Sequence, residues 1–176
     1  MKLVTFILKE DPNIIRIGAI DNKKIIDFHL SSLPDDMISF INLGKDGLNQ
    51  AKKLIDSSNN SYNFEEIIIK APIKMPNKIL AVGLNYKKHV DEAKEVTGHH
   101  SQNVELQEQY PNIFNKQNSS VNDPYGDVHR PNESDWLDYE GELGIIIGKE
   151  CRHVSYENAR ECIYGFTIVN DFSIRD

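Results

Sequence analysis

The stretch Asp138–Gly148, DYEGELGIIIG, places two glutamates directly before an apolar run that ends in three isoleucines. Residues of this β-branched kind favour extended backbone, and the run predicts a strand buried on both faces. Side chains two residues apart on a strand point to one face, so Glu140 and Glu142 should lie side by side. Two such carboxylates repel each other unless a cation lies between them. A strand end facing solvent is the alternative explanation.

A second predicted strand, YGFTIVNDFS, carries Asp171 directly after its apolar residues. If this strand lies beside the first, Asp171 meets the glutamate pair. Three carboxylates without His or Cys favour a hard divalent cation, Mg²⁺ or Mn²⁺, with Ca²⁺ as a further option, and disfavour zinc. An Asp that only caps the next turn is the other reading of this position.

The segment LNYKKHVDEAKEV has helical spacing, with Asn85 as its N-cap residue. His89 and Glu92 lie three residues apart and therefore on one helix face. A histidine oriented by a carboxylate can take a proton from water. A solvated surface pair is the alternative, since this spacing is common by chance.

Composition excludes several classes of function. The chain has 176 residues, 39% hydrophobic and 27% charged, with a formal net charge of −7. An acidic chain without basic clusters predicts no nucleic-acid partner, and no apolar run is long enough to span a bilayer. Its two cysteines are too few for a disulfide framework, and the N-terminus resembles a first strand rather than a signal peptide. The predicted location is cytoplasmic, with a mitochondrial one open in a eukaryote.

The order of elements predicts an α+β fold that is mainly β. Short strands occupy residues 2 to 29, with a turn at Asp21–Asn22, and helical spacing runs from Asp35 to Ser57 with interruptions at Gly44 and Gly47. A polar linker follows, and APIKMP marks a boundary. The predicted domains are residues 1–72, a small N-terminal domain, and residues 73–176. A short helix opened by Ser155 separates the two long strands.

Four segments together resemble the fumarylacetoacetate hydrolase family. They are KILAVGLNYKKHVDE, PNIFNKQNSSV, DYEGELGIIIGKE and YGFTIVNDFSIRD, in the family's order across Lys78–Asp176. The resemblance implies the N-terminal half of a mixed β-barrel or β-roll core, preceded by a small αβ domain. It also implies that Glu140, Glu142 and Asp171 bind Mg²⁺ or Mn²⁺, and that His89 and Glu92 form a catalytic dyad on a helix that closes over substrate.

The family acts on 2-oxo acids, whose oxygens chelate the metal. The resemblance implies hydrolysis of a carbon–carbon bond in an acylpyruvate-type substrate through an enolate, in a pathway such as aromatic catabolism and usually in a homodimer. Decarboxylation of oxaloacetate and hydration or isomerisation of a heptadienedioate are the alternatives. A catalytically inactive family fragment that only associates with a partner is the alternative of another class.

Two departures refine the resemblance. The turn Gly83–Tyr86 lacks the extra metal-binding Asp of fumarylacetoacetate hydrolases proper, which favours the acylpyruvate hydrolase, oxaloacetate decarboxylase and hydratase-isomerase branches. The sequence also stops at Asp176, before the family's active-site lysine and G-T-P segment. The expectation is a chain that needs residues beyond Asp176 for turnover.

Overall fold

Strands dominate the computed structural model, which describes residues 1–88, 91 and 110–176. It contains two compact units: residues 1–73 with 123–176, and residues 74–122. The strands are β1 (Lys2–Leu8), β2 (Arg16–Asp21), β3 (Lys24–Asp27), β4 (Ser61–Asn63), β5 (Ile67–Lys70), β6 (Ile79–Gly83), β7 (Asn112–Lys116), β8 (Leu137–Asp138), β9 (Gly141–Ile147), β10 (Ile163–Asn170) and β11 (Ser173–Ile174). The α-helices are α1 (Met37–Asn42) and α2 (Gly44–Ser57). The α+β, mainly β prediction is confirmed.

The N-terminal sheet is antiparallel, with strand order β4-β3-β2-β1-β5. The hairpin between β2 and β3 turns at Asn22 and Lys23, both with positive φ, one residue later than the sequence predicted. Two consecutive residues with positive φ form the turn whose twist matches paired strands. β5 pairs with β1 and was not predicted from the sequence.

The two helices cover this sheet and complete its core. The predicted interruption at Gly44 is correct, because α1 ends at Asn42 and α2 begins at Gly44, which has φ +56°. Gly47 instead lies inside α2. Phe28 and Phe40 are fully buried, with ring centroids 5.5 Å apart, and partly buried Ile146 and Tyr164 pack against the same cluster.

The rest of this unit is built from two strand pairs. β9 and β10 form an antiparallel pair, as do β8 and β11. A 3₁₀ helix, Tyr156–Cys162, connects β9 to β10, with Ser155 at its N-cap as the sequence predicted. The two long strands that carry the three acids are therefore neighbours.

β9 is not buried on both faces, and that prediction was wrong. Its pattern alternates, with Leu143, Ile145 and Ile147 exposed and the residues between them half-buried. Phe166 and Ile168 lie opposite Ile145 and Leu143 and are also exposed. The physical reason is topology: among the described residues, β9 and β10 form a two-stranded sheet, and one of its faces is left without cover.

The second unit contains the antiparallel pair β6 and β7, followed by a 3₁₀ helix at Asn118–Ser120. Helical residues begin at Lys87, two residues after the predicted N-cap Asn85. His89 and Glu92 lie outside the described residues. None of the described helices is both long and apolar enough to cross a membrane.

Candidate functional site

The two acidic segments meet at the open end of the β9–β10 pair. Glu142 pairs with Val169 in the ladder, and Asn170 pairs with Gly141. One step further, the amide of Asp171 donates to the carbonyl of Glu140 at 2.7 Å. The strand register therefore brings Asp171 opposite Glu140, as the sequence analysis required.

Strand alternation places the three carboxylates on one face of this pair. A Cβ added at Gly144 would lie 2.8 Å from Thr167 Cγ2 and 2.9 Å from Val169 Cγ2, so these residues point the same way. Glu142 and Glu140 follow Gly144 at two-residue steps along β9, and Asp171 follows Val169 by two. Residues directly opposite each other in such a pair have Cβ atoms about 5 Å apart.

Arg175 is the cation that meets this face. Its Nη2 forms an ion pair with Glu140 Oε1, and its Nε donates to Asp138 Oδ2 at 3.0 Å. Its backbone amide donates to the carbonyl of Trp136 at 3.2 Å, which fixes the main chain beside β8. The amide of Glu140 donates in turn to Asn170 Oδ1 at 3.0 Å. Glu140 is thus held from both its backbone and its carboxylate.

Asp176 anchors the segment that carries Arg175. Its carboxylate accepts hydrogen bonds from the Ser134 hydroxyl and from the amide of Asp135, the latter at 3.2 Å. The Ser134 hydrogen bond is the main reason that the pKa of Asp176 lies below its usual value. Ser134 is buried, and its Oγ also accepts from the amide of Trp136 at 3.0 Å. This network positions the main chain that follows Arg175.

Within the described residues, no group of three or more His, Cys, Asp or Glu side chains is gathered closely enough to hold a metal. The donor chemistry nevertheless fits Mg²⁺ or Mn²⁺, since the acids sharing this face supply hard oxygen ligands. The ion pair with Arg175 directs Glu140 Oε1 to the guanidinium and not toward the other two carboxylates. This is a physical reason why the three acids are not gathered closely. The assignment of Glu140, Glu142 and Asp171 as metal ligands stays a prediction, and so does the His89–Glu92 dyad.

Sequence reasoning missed Arg175 and Asp138 as members of this site. Arg175 lies within the quoted segment YGFTIVNDFSIRD, four residues after Asp171, where a lone cation follows a predicted cluster of acids. That charge complementarity was the available signal. The sequence does not show that β11 pairs with β8, which is what brings Arg175 beside Asp138 and Glu140.

Comparison with known proteins gives the class to which this chain belongs. The model of the family described as "Fumarylacetoacetate (FAA) hydrolase C-terminal" matches residues 78–176. The "Fumarylacetoacetate hydrolase domain-containing protein 2 homolog" of Dictyostelium discoideum is 37% identical over 182 residues, covering 100% of this chain and 55% of the relative. The "Oxaloacetate tautomerase fahd2, mitochondrial" of Xenopus laevis is 36% identical over 180 residues, covering 100% and 53%. The chain belongs to the fumarylacetoacetate hydrolase family.

Solved structures share the fold along the whole chain. A fumarylacetoacetate hydrolase from Exiguobacterium antarcticum superposes with a TM-score of 0.73 at 27% identity, over 100% of this chain and 57% of its own. Maleylpyruvate hydrolase from Sphingobium sp. SYK-6, solved with manganese and pyruvate, gives 0.74 at 23% identity, over 99% and 60%. The fold that the resemblance implied is confirmed. The chain spans about half the length of the curated relatives it matches.

Proposed function

We propose that this chain carries the carboxylate half of a divalent-metal-dependent enzyme site for 2-oxo acids. The observation that carries the proposal is the strand register that places Asp171 opposite Glu140, with Glu142 on the same face. Acids brought together on one face favour a bound cation, since their mutual repulsion falls when one is present. Family membership and the manganese in one structural neighbour also support it.

Glu140, Glu142 and Asp171 would hold Mg²⁺ or Mn²⁺. When bound, such an ion supplies the positive charge that stabilises an enolate of a 2-oxo acid. Arg175 then has a second role, because it keeps Glu140 neutralised in the metal-free protein. Glu140 must leave Arg175, at least in part, before its carboxylate can turn to a cation.

His89, oriented by Glu92, is proposed as the proton-transfer group. In hydrolysis it takes a proton from water, which then attacks the acyl carbonyl beside the enolate-forming carbon. In tautomerisation it moves a proton between C3 and the enol oxygen without breaking a carbon–carbon bond. Each reaction needs a base near neutral pH, which a histidine supplies.

Hydrolysis of an acylpyruvate is the first candidate reaction, and decarboxylation and hydration or isomerisation use the same site. The second candidate is keto–enol tautomerisation of oxaloacetate, which the 36% identity to an oxaloacetate tautomerase supports over the full chain. Both substrates are 2-oxo acids that form an enolate at C3, so one site serves either. The proposed location is cytoplasmic, or mitochondrial as in the name of the Xenopus laevis relative.

The metal proposal is tested by calorimetric titration with Mn²⁺. We expect Glu142→Gln and Asp171→Asn each to weaken binding by at least about tenfold, because affinity follows the number of charged ligands. Glu150→Gln removes the same charge from an exposed position outside the site and serves as the matched control. Equal affinity in all four proteins would contradict the assignment.

The reaction is tested separately in Mn²⁺. Decay of the oxaloacetate enol band, pyruvate release and loss of acylpyruvate absorbance distinguish tautomerisation, decarboxylation and hydrolysis. His89→Asn should abolish turnover while leaving Mn²⁺ affinity unchanged. If metal binds but no substrate turns over, the activity requires parts of the family fold beyond the half that this chain matches.

A non-catalytic role through association is favoured by one observation. The side chains on one face of the β9–β10 pair are between 52% and 87% exposed: Leu143, Ile145, Ile147, Phe166 and Ile168. An apolar face of this kind marks a binding surface. The proposed occupant is a polypeptide carrying the remaining part of the family fold. A monodisperse monomer by sedimentation that is unchanged by Ile168→Ser would argue against this role.

A further inference from the structure

The side chains of Cys151 and Cys162 are hydrogen-bonded to each other at the closed end of the β9–β10 hairpin, at the opposite end from the carboxylates. The amide of Gly148 donates to the carbonyl of Cys162 at 2.9 Å, which continues the pairing of the strands past Ile147. Lys149 Nζ lies 3.5 Å from Glu161 Oε2 across the same gap. These contacts hold Gly148 and Lys149, which precede Cys151, against Glu161 and Cys162.

The two thiols differ in their surroundings. Cys151 is exposed, whereas Cys162 is 5% exposed, and neither is in a disulfide. The hydrogen bond in which the Cys162 thiol donates to the Cys151 side chain, followed by burial, raises the pKa of Cys162. Cys151 is therefore the thiol that a reagent in solution can reach, and Cys162 is the neighbour that can react with it next.

We propose that Cys151 and Cys162 form a reversible disulfide that closes the 3₁₀ turn between β9 and β10. The oxidant is a small soluble disulfide such as oxidised glutathione. The thiolate of Cys151 attacks one sulfur of the reagent, and the first glutathione leaves as a thiolate. The thiolate of Cys162 then attacks Cys151 Sγ and expels the second glutathione.

The reaction is balanced without any further reactant. Two cysteine thiols lose two electrons and two protons, and the reagent is reduced to two glutathione thiols. Because the pKa of Cys162 is raised, its thiolate is scarce at neutral pH, which slows the second step. Closure should accordingly become faster as the pH rises.

The bond would link two chain segments that the hairpin already holds together, so it needs little rearrangement. A link closing a short loop stabilises the native state mainly by restricting the unfolded chain. The carboxylates at the other end of the hairpin take no part in it. Its success or failure is therefore separate from that of the proposed metal site.

The experiment incubates the whole chain with excess oxidised glutathione and follows intact mass, thiol content and melting temperature. We expect the loss of both thiols, a mass lower by two hydrogen atoms and no attached glutathione. The melting temperature should rise by roughly 5–10 °C, and dithiothreitol should reverse this shift. Cys162→Ser should stop at one glutathione on Cys151, and Cys151→Ser should stay unmodified because Cys162 is buried.

The proposal is overturned by a stable mixed disulfide in the unsubstituted chain, by a disulfide-linked dimer, or by two thiols that persist in excess reagent. A closed disulfide that leaves the melting temperature unchanged would overturn its stabilising role. Mn²⁺ affinity measured in the reduced and oxidised proteins should be the same.

Discussion

The amide of Asp171 donates to the carbonyl of Glu140 at 2.7 Å, one step beyond the last ladder pair of β9 and β10. This hydrogen bond continues the register of the ladder to the site, so that Asp171 lies opposite Glu140. A slip of one residue would turn Asp171 to the opposite face, because side chains alternate along a strand. The chemistry proposed for the site therefore requires this strand register, because the register decides whether Asp171 lies on the same face as the two glutamates.

Arg175→Gln should make the melting temperature of the protein depend more strongly on divalent metal. The substitution removes the ion pair to Glu140 and the 3.0 Å contact to Asp138, which leaves the acids of this face to repel one another. Without metal we expect a lower melting temperature than in the unsubstituted protein. With Mn²⁺ we expect a larger rise in melting temperature, because the cation replaces the lost guanidinium.

Arg175→Lys is the matched control, since it keeps the charge but not the planar donor group. It should fall between the two proteins in the metal-free measurement. A melting temperature for Arg175→Gln that Mn²⁺ raises no further than in the unsubstituted protein would contradict the competition between Arg175 and metal for Glu140.

Gly144→Ala should disturb the carboxylate face, whereas Gly141→Ala should not. A Cβ at Gly144 would lie within 3.0 Å of methyl groups on Thr167 and Val169, and both side chains are β-branched and stiff. A Cβ at Gly141 would meet nothing within 4 Å. In urea denaturation we expect Gly144→Ala to lose about 1–2 kcal/mol of unfolding free energy and Gly141→Ala to lose none. Similar losses in both variants would show that strand propensity, not crowding, decides the effect.

The sequence predicts the two acid-bearing strands because their apolar and β-branched runs are long enough to indicate extended backbone without other information. Their partnership follows from the resemblance between four ordered segments and one family. β5 was missed because Ile67–Lys70 is short and its partner, β1, lies far away in the chain. Periodicity indicates the conformation of a segment but not which distant segment it pairs with.

The burial of β9 could not be predicted for a related reason. Its isoleucines resemble those of a strand covered on both sides, but cover depends on which other elements pack there. The role of Arg175 was missed for the same cause, since β11 must pair with β8 before its guanidinium reaches Glu140. Local patterns determined the elements, and long-range pairing determined the site.

Asp36 should contribute to the free energy of unfolding at neutral pH and lose this contribution in acid. It is the N-cap of α1, and its Oδ1 accepts from the amide of Ser39 at 2.9 Å. Hydrogen bonds from the Ser39 side chain and then from its backbone hold the pKa of Asp36 below the ordinary value of 3.8. A lowered native pKa means that the contribution is complete above pH 3.8 and is lost as the pH falls through the native pKa.

Asp36→Ala should cost about 1 kcal/mol of unfolding free energy at pH 7, and this difference should shrink as the pH falls below 3.8. Asp36→Ser keeps a capping oxygen that does not titrate, so it should retain most of the stability at neutral pH. Urea denaturation at several pH values measures both effects. A cost for Asp36→Ala that is constant down to the acid transition would contradict the charged cap.

Among the charged residues of the N-terminal sheet, Asp27 should cost the most unfolding free energy when it is replaced by alanine. Its side chain is fully buried, with Oδ2 at 3.1 Å from Arg16 Nη1 and Oδ1 accepting from the amide of His29 at 2.8 Å. Asp11 binds the same arginine at 3.0 Å, but its side chain is 37% exposed. Asp27→Ala leaves the amide of half-buried His29 unpaired and a nearly buried guanidinium with Asp11 as its remaining partner. We expect a loss of about 3–5 kcal/mol for Asp27→Ala and at most about 1 kcal/mol for Asp11→Ala. Urea denaturation of the two variants measures this contrast, and equal losses would show that burial does not govern the strength of these two ion pairs.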